Sequence, residues 1–412
     1  MQWYNLETCN EKEIWHGRNI SRIAFNSIEN SIAFLTVPNV SDQSLNTISY
    51  YSDNMDSAEL WVSASNPGIK NGLIIGDRDL FFSADGHKLF FQLQYGKVIK
   101  FKDSPLTDVH IWNSKDQSLR SVKDIEDERE KDEFYLSLCK LPGKQVIRLQ
   151  NENDGGLTYF HVGENGNAEF ALSTSKANLY EAYFRKLGSP NINLISTNNG
   201  ERICIKRNVY FAQPTYSPGG KFILWYDYLE QKYFVYDIRQ QQLRCITNGI
   251  QNKLYVESWD YASLPEPYSY SAWIEGDSAV LIYDHYDIWK VDPYGIVPPT
   301  NLTNGYGKKN KIIFRYVDKE HLGTELMHSL NKRETILLCA FNEKTKENGF
   351  YEKTIDETGD PKKLVMSPDL YYFNENNSYI TFPDFMVKAK QTNVYLIKKM
   401  NTAEFPNLYL TS

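Results

Sequence analysis

A ten-residue pattern that recurs along the 412-residue chain constrains its fold more than any other feature. One apolar residue, a polar turn rich in Asn, Asp, Gly or Ser, and three or four apolar residues succeed one another. The copies are FNSIENSIAF at 25, FSADGHKLFF at 82, VGENGNAEFA at 162, YSPGGKFILW at 216, WIEGDSAVLI at 273, LNKRETILLC at 330 and FNENNSYITF at 373. Each reads as a hairpin: a strand ends, Gly or Asn accepts a left-handed turn, and a second strand begins. A third strand carrying an aromatic residue follows several copies, in ELWVS (59–63), VHIWN (109–113), KYFVYDI (232–238) and YDIWKVD (286–292). A fourth closes the unit near Thr-Asn-Gly at 247–249 and 303–305. Four short antiparallel strands per unit predict an all-β chain, a β-propeller of four-stranded blades, with residues 1–412 one propeller domain. A β-sandwich with coincidental hairpins is the competitor, and seven hairpins in near register argue against it.

Successive copies start 57, 80, 54, 57, 57 and 43 residues apart. That is longer than the about 40 to 45 residues of WD40 repeats, whose Gly-His and Trp-Asp signals are also missing at the required places. The 80-residue interval implies an insertion at about 100–155. Within it DIEDEREKDE (124–133) has seven acids and two bases, too polar for a core, and FYLSLCKL and KQVIRLQ read as two further strands. At the amino terminus YNLETCNEKEIWHG (4–17) matches YDIRQQQLRCITNG (236–249) in length, opening Tyr, late Ile and closing Gly. The second of these is the end of a unit, so residues 1–17 are expected to be the third and fourth strands of a blade: either a partial eighth beside seven full ones, which the outer strands NVYLIKK and NLYLTS of the last unit favour, or, by pairing of residues 2–15 with the strands at 371–396, part of a blade that closes the ring.

Aromatic residues at 14% suit β-structure. The net charge of -7, with both signs spread along the chain, argues against a nucleic-acid partner, which needs a basic stripe for phosphates. Five cysteines, Cys9, Cys139, Cys204, Cys245 and Cys339, are odd in number and form no CxxC pair, so neither a disulfide framework nor a zinc site is expected. Those in SLCKL, ERICIK and ILLCAF read as small buried hydrophobes. No signal-peptide h-region opens the chain, and no run approaches about 18 apolar residues, so no membrane insertion is expected.

Catalytic motifs are sparse. Gly276-Asp277-Ser278 lacks the second glycine of a G-x-S-x-G nucleophile elbow and lies in a hairpin turn. Gly305-Tyr306-Gly307-Lys308-Lys309 has the wrong spacing for a phosphate loop and reads as a solvated inter-blade connection. The seven histidines include no HExxH, and His321 and His328, with Glu325 between them, fall in the lead-in to a blade. No metal or cofactor is expected. The richest polar cluster is YDHYD, with Tyr283, Asp284, His285 and Asp287 between two apolar strands. Such a turn could meet a ligand at a propeller face; equally, its Asp side chains could cap backbone N–H groups. The irregular stretch ESWDYASLPEPYSY (257–270), with Trp259, Asp260 and Tyr261, is where a propeller places binding residues.

YSPGGKFILWYD, YDIWKVDP with its following NLTNG, VHIWNSKDQSLRSV and the final AEFPNLYLTS together resemble the β-propeller of the prolyl oligopeptidase family of serine peptidases. The likeness is to its large bacterial dipeptidyl-peptidase and acylaminoacyl-peptidase-like members. In that family the propeller precedes an α/β-hydrolase domain that carries the Ser, Asp and His triad, and the segment resembling residues 403–412 is its last propeller strand. No position here matches the triad motif or the paired glutamates of dipeptidyl peptidases. The resemblance therefore implies a chain inactive by itself that gates a peptidase and selects short peptides. It also implies a parent serine peptidase, peptide substrates reached through a hydrolase domain, and a periplasmic or envelope location. Two alternatives stay open: a stand-alone propeller scaffold binding a protein, peptide or sugar, and a glycosidase-type site in which Asp284 and Asp287 serve as paired carboxylates. Nothing in the sequence fixes the oligomeric state.

Overall fold

The computed structural model describes residues 1–412 apart from 5, 7–8, 18, 27, 37–44, 97–132, 155–161, 176–189, 211–213, 318–328, 373–385, 390, 393 and 412. Two compact units divide the chain, Met1–Tyr210 and Phe211–Ser412. The fold is all-β, of the propeller class: small antiparallel sheets follow one another, each built from a short stretch of chain. No helix among the described residues is long and apolar enough to cross a membrane.

In the first unit the strands Ile20–Asn26, Ser31–Thr36, Thr47–Ser52 and Glu59–Val62 form a four-stranded meander. The next sheet orders Val146–Arg148, Phe134–Lys140, Lys88–Tyr95 and Leu73–Ile75, with Phe81–Phe82 also on Lys88–Tyr95. A three-stranded sheet of Phe170–Thr174, Ile192–Ser196 and Arg202–Lys206 follows. In the second unit Thr215–Tyr216, Phe222–Asp227, Lys232–Asp237 and Gln242–Cys245 form one meander. Tyr270–Ile274, Ala279–Tyr283, Ile288–Val291 and Thr300–Asn301 form the next, and Ile312–Tyr316, Thr335–Asn342, Asn348–Thr354 and Lys362–Ser367 the third. The last sheet gathers Leu370–Tyr372, Met386–Lys388, Tyr395–Met400 and Asn407–Thr411.

The hairpin turns explain the repeat. In the turns after Phe82 and Tyr216 a serine side chain accepts the N–H of the residue five on, Lys88 N to Ser83 Oγ at 2.9 Å and Phe222 N to Ser217 Oγ at 3.0 Å. Three residues after each serine stands a glycine at positive φ, Gly86 at 75° and Gly220 at 66°, a geometry that a Cβ would strain. The same turns tie neighbouring sheets together. Lys88 Nζ donates to the carbonyls of Gly166, Asn167 and Ala168. Lys221 Nζ donates to the Gly276 carbonyl, and buried Asp277 accepts from Ser217 Oγ, Gly219 N and Lys221 N.

The second strand of a sheet is buried on both faces, and its alternation divides the side chains between two cores. Val280 and Ile282 pack with Phe222, Leu224 and Val235 of the preceding sheet. Ala279, Leu281 and Tyr283 pack with Phe314, Leu338 and Tyr351 of the following one. A strand sandwiched this way needs a continuous apolar run rather than an apolar-polar alternation, as AVLIY shows.

The amino-terminal likeness holds to the register. Gln2–Tyr4 pairs with Glu11–Glu13 with Tyr4 opposite Glu11, and Tyr236 lies opposite Leu243 at the same spacing. Ile14 is buried like its counterpart Ile246, here against Ile32, Phe34 and Tyr51. Among the described residues this hairpin is a two-stranded sheet of its own.

Several expectations need correction. Glu59–Val62, within ELWVS, is the fourth strand of its sheet, because Thr47–Ser52 fills the third place. FYLSLCKL and KQVIRLQ are strands, but they complete the second sheet beside Lys88–Tyr95 rather than adding to it, so the extra chain length lies between residues 95 and 134. Ser329–Leu330 of the sixth copy pairs in parallel with Trp273–Ile274 of the preceding sheet, while Thr335–Asn342 pairs with Ile312–Tyr316. Cys139 and Cys339 are buried as read, whereas Cys204 of ERICIK is exposed on an edge strand. VHIWN, the acidic run up to residue 132, His321, His328 and the 373 copy lie outside the described residues.

Candidate ligand-contact site

Within the second unit, antiparallel meanders put the loops between second and third strands at one end of their sheets, together with the connections from a fourth strand to the next first strand. YDHYD occupies such a loop, between Ala279–Tyr283 and Ile288–Val291. Its two aspartates build the turn. Asp284 Oδ1 accepts the N–H groups of Tyr286 and Asp287 at 2.7 and 2.6 Å, and Oδ2 accepts from Trp289 Nε1 and Asn252 Nδ2. Asp287 accepts from Thr303 Oγ1 at 2.7 Å, Gly307 N at 2.9 Å and Lys308 N at 3.1 Å, which fixes the start of the short helix Tyr306–Asn310. Both carboxylates are turned into the protein, at 1% and 0% exposure. Burial pushes the Asp287 carboxyl above its ordinary value against the pull of these hydrogen bonds. Gly307 has to be glycine: a Cβ there would come within 2.8 Å of Asp287 Oδ1 and of the Tyr286 carbonyl.

His285 points the other way. Its Nε2 lies 2.8 Å from Glu343 Oε1 and its Nδ1 2.7 Å from the Tyr268 hydroxyl. Tyr286 donates its hydroxyl to Glu343 Oε2 at 2.6 Å. Burial works to raise the Glu343 carboxyl, and the hydrogen bonds from Tyr286 and His285 outweigh it, so the group stands below its ordinary value and is ionised at neutral pH. An ionised carboxylate only accepts, so in the neutral imidazole Nε2 carries the proton and Nδ1 accepts the Tyr268 O–H. Burial and the hydrogen bond to Glu343 push the Tyr286 hydroxyl up to about 12, keeping it a donor. Arg315 closes the cluster. Its guanidinium lies 4.7 Å from the Tyr283 ring and 5.5 Å from the Tyr268 ring, and donates to the carbonyls of Phe314 and His285. His285 and Glu343 are 31% and 33% exposed, so the network is held from inside and wet on one side.

Of the residues singled out in the sequence, Tyr283, Asp284, His285 and Asp287 thus share one turn. Tyr283 is buried, and its hydroxyl accepts the Tyr316 N–H at 2.9 Å. Trp259 and Tyr261 meet each other, ring centroids 4.9 Å apart, and Trp259 Nε1 donates to Ser263 Oγ; Asp260 is exposed in the same loop. Tyr286 belongs to the YDHYD turn and Tyr268 to the 257–270 stretch, whereas the motifs of the sequence pointed to neither Glu343 nor Arg315. A signal for Glu343 did exist: it follows His285 by 58 residues, one repeat length, and sits in the same loop of the next sheet. The three described histidines lie against carboxylates, His16 on Glu13, His87 on Glu29 and His285 on Glu343, and none meets a Ser, Thr or Cys. Among the described residues no group of three metal-ligating side chains comes together.

No protein-family model matches the sequence, and no curated protein matches it. Solved structures do. The acylaminoacyl peptidase of Pyrococcus horikoshii is 12% identical with a TM-score of 0.31, over 97% of this chain and 55% of that one. The β-propeller domain of the Trilobed protease from Pyrococcus furiosus is 9% identical with a TM-score of 0.29, over 95% of this chain and 94% of that one. An oligogalacturonate lyase in complex with manganese is 11% identical with a TM-score of 0.33, over 100% and 95%. The chain spans about half the length of the acylaminoacyl peptidases it matches.

Proposed function

We propose that this chain is a non-catalytic propeller that gates access to, and selects short peptides for, a prolyl-oligopeptidase-like serine peptidase, and that it works in the periplasm or cell envelope. The observation that supports this reading best is the composition of the loop-end cluster. Tyr268, His285, Tyr286, Glu343 and Arg315 offer hydrogen-bond donors, an acceptor and aromatic surface, the means to hold a ligand. Among the described residues the cluster has no nucleophile beside its histidine, and amide hydrolysis needs an activated nucleophile and an oxyanion site. The stretches that carry the sequence resemblance, YSPGGKFILWYD and YDIWKVDP, form strands of neighbouring sheets in the same unit. A stand-alone scaffold for a protein, peptide or sugar partner is the alternative. It is favoured by exposed Phe405, Leu408 and Leu410 beside the strand Asn407–Thr411, which pairs among the described residues on one side alone.

The test uses the purified chain and uncharged chromogenic peptides of two to four residues. Expected are no turnover and saturable binding that Glu343→Gln weakens severalfold. Turnover that a serine-directed inhibitor stops would refute inertness. Absence of binding by every short peptide would refute selection.

A further inference from the structure

The connection Gly305–Lys311 and the loop at residues 342–347 lie side by side, joined by the hydrogen bond from Glu343 N to the Lys311 carbonyl at 2.9 Å. The sequence separates them by about 30 residues; the fold brings together Lys308, Lys309, Lys311, Lys344 and Lys346, all exposed. Four other lysines of this unit are held by carboxylates, Lys253 by Glu257, Lys290 by Asp356, Lys362 by Glu352 and Lys399 by Asp369, and Lys221, Lys232 and Lys353 donate to neutral oxygens. Among the described residues none of the five forms an ion pair. Lys308 Nζ rests on the neutral Asn252 side chain, Lys311 Nζ over the Tyr286 ring at 5.0 Å and Lys346 Nζ over the Phe341 ring at 5.6 Å. Five ammonium groups on two adjoining turns outnumber the loop's own carboxylates, Glu343 and Glu347, and leave an excess of positive charge that an anion from outside can meet.

We propose that these two turns form a docking surface for an acidic stretch of peptide, placed so that the bound chain continues over the Tyr286 and His285 cluster. The inference rests on the peptide-selecting reading and specifies its substrate class. Charge pattern favours a peptide over a polyanion. Ionised Glu343 stands beside the lysines, and the whole chain carries -7, so a ligand charged at every unit is repelled more strongly than a peptide with acidic and neutral positions. The patch is also short: the helix Tyr306–Asn310 is five residues, about 8 Å at ~1.5 Å per residue, which matches a few acidic side chains.

The test titrates the full chain with a fluorescein-labelled octapeptide of alternating Asp and Ser, following anisotropy in low and in moderate salt. The Asp peptide should bind, a Gln-Ser octapeptide should bind at least tenfold more weakly, and added salt should erase the difference. Lys309→Glu with Lys344→Glu should weaken the Asp peptide by roughly tenfold or more, since two attractions become repulsions. Lys232→Glu, on another sheet, should leave binding unchanged, and unchanged melting of the variants checks the fold. Equal binding of the Asp and Gln peptides, indifference to the double reversal, or tighter binding of a polygalacturonate octamer or an octanucleotide would each overturn the proposal. The two readings fail separately. Uncharged peptides that bind while the Asp peptide gains nothing sink this surface alone, whereas turnover by the purified chain that a serine-directed inhibitor stops sinks the non-catalytic reading and leaves the surface standing.

Discussion

Replacing Asp277 with asparagine or alanine tests whether the recurring turn holds sheet to sheet. Asp277 is fully buried at φ 55°, next to Gly276 at 68°. It accepts from Ser217 Oγ at 2.6 Å, Gly219 N at 2.9 Å and Lys221 N at 3.3 Å, all in the hairpin of the preceding sheet. A hydrogen bond to a charged acceptor contributes about 1.5 to 3 kcal/mol, but two of the three donors, Gly219 N and Lys221 N, are only partly buried and recover part of that from water. About 3 kcal/mol for the three together is therefore expected. Alanine adds about 1 kcal/mol for a left-handed backbone it tolerates poorly. Asparagine accepts that backbone, so it isolates the hydrogen bonds: it keeps one oxygen for Gly219 but turns an NH2 toward the Lys221 N–H, and should cost about 2 kcal/mol. For a unit of about 200 residues, ~2 to 4 °C per kcal/mol places the alanine variant roughly 8 to 16 °C lower in melting temperature. Ser217→Ala should cost about 1 to 2 kcal/mol, and the double variant should cost less than the sum because the two side chains share a bond. Calorimetry on the full chain reads the parent and the four variants. An asparagine variant as stable as the parent would refute the idea that Asp277 ties the sheets by hydrogen bonding.

Three further outcomes follow from local geometry. Gly307→Ala should lower stability by about 2 to 3 kcal/mol in chemical denaturation, because the new Cβ would meet the Ile312 and Tyr286 carbonyls at 2.7 and 2.8 Å, and backbone cannot swing aside as a side chain can. Leu281→Ala should cost about 3 kcal/mol, since Leu281 is fully buried between two sheets that are fixed by their own cores. In the first unit the hydrogen bond from Tyr95, with help from Arg148, draws the Glu152 carboxyl down to about 2. A lowered carboxyl stabilises the fold above its unfolded value near 4.5 and loses that contribution as pH falls from there toward 2. The side chain is 39% exposed, so solvent screening keeps the effect small. Carbon-detected NMR titration should show Glu152 titrating more than one pH unit higher in Tyr95→Phe, and an unchanged titration would exclude the hydrogen bond as cause.

Local chemistry by itself determined the strands and turns. Serine, glycine and polar residues in a fixed order specify a hairpin turn wherever they stand, so FSADGHKLFF and YSPGGKFILW fold alike. The register of residues 4–17 was legible for the same reason, since a hairpin's pairing follows from its loop length. Likewise Asp284 could be read as a turn-capping residue, because Asx side chains bond backbone N–H groups two or three residues on, whereas Asp287 caps Gly307 and Lys308, which the fold brings to it from the next connection. Only the tertiary structure decided what depends on contacts between distant segments. Which strand takes the third place in a sheet is settled by competition among all the strands within reach, and so ELWVS became a fourth strand and Ser329–Leu330 joined another sheet. Glu343 reached His285, and five lysines became neighbours, through the stacking of one sheet on the next. A sequence states how each residue prefers to bend and what it would bury, whereas charge and hydrogen bonding act through space, and that proximity exists only once the sheets have packed.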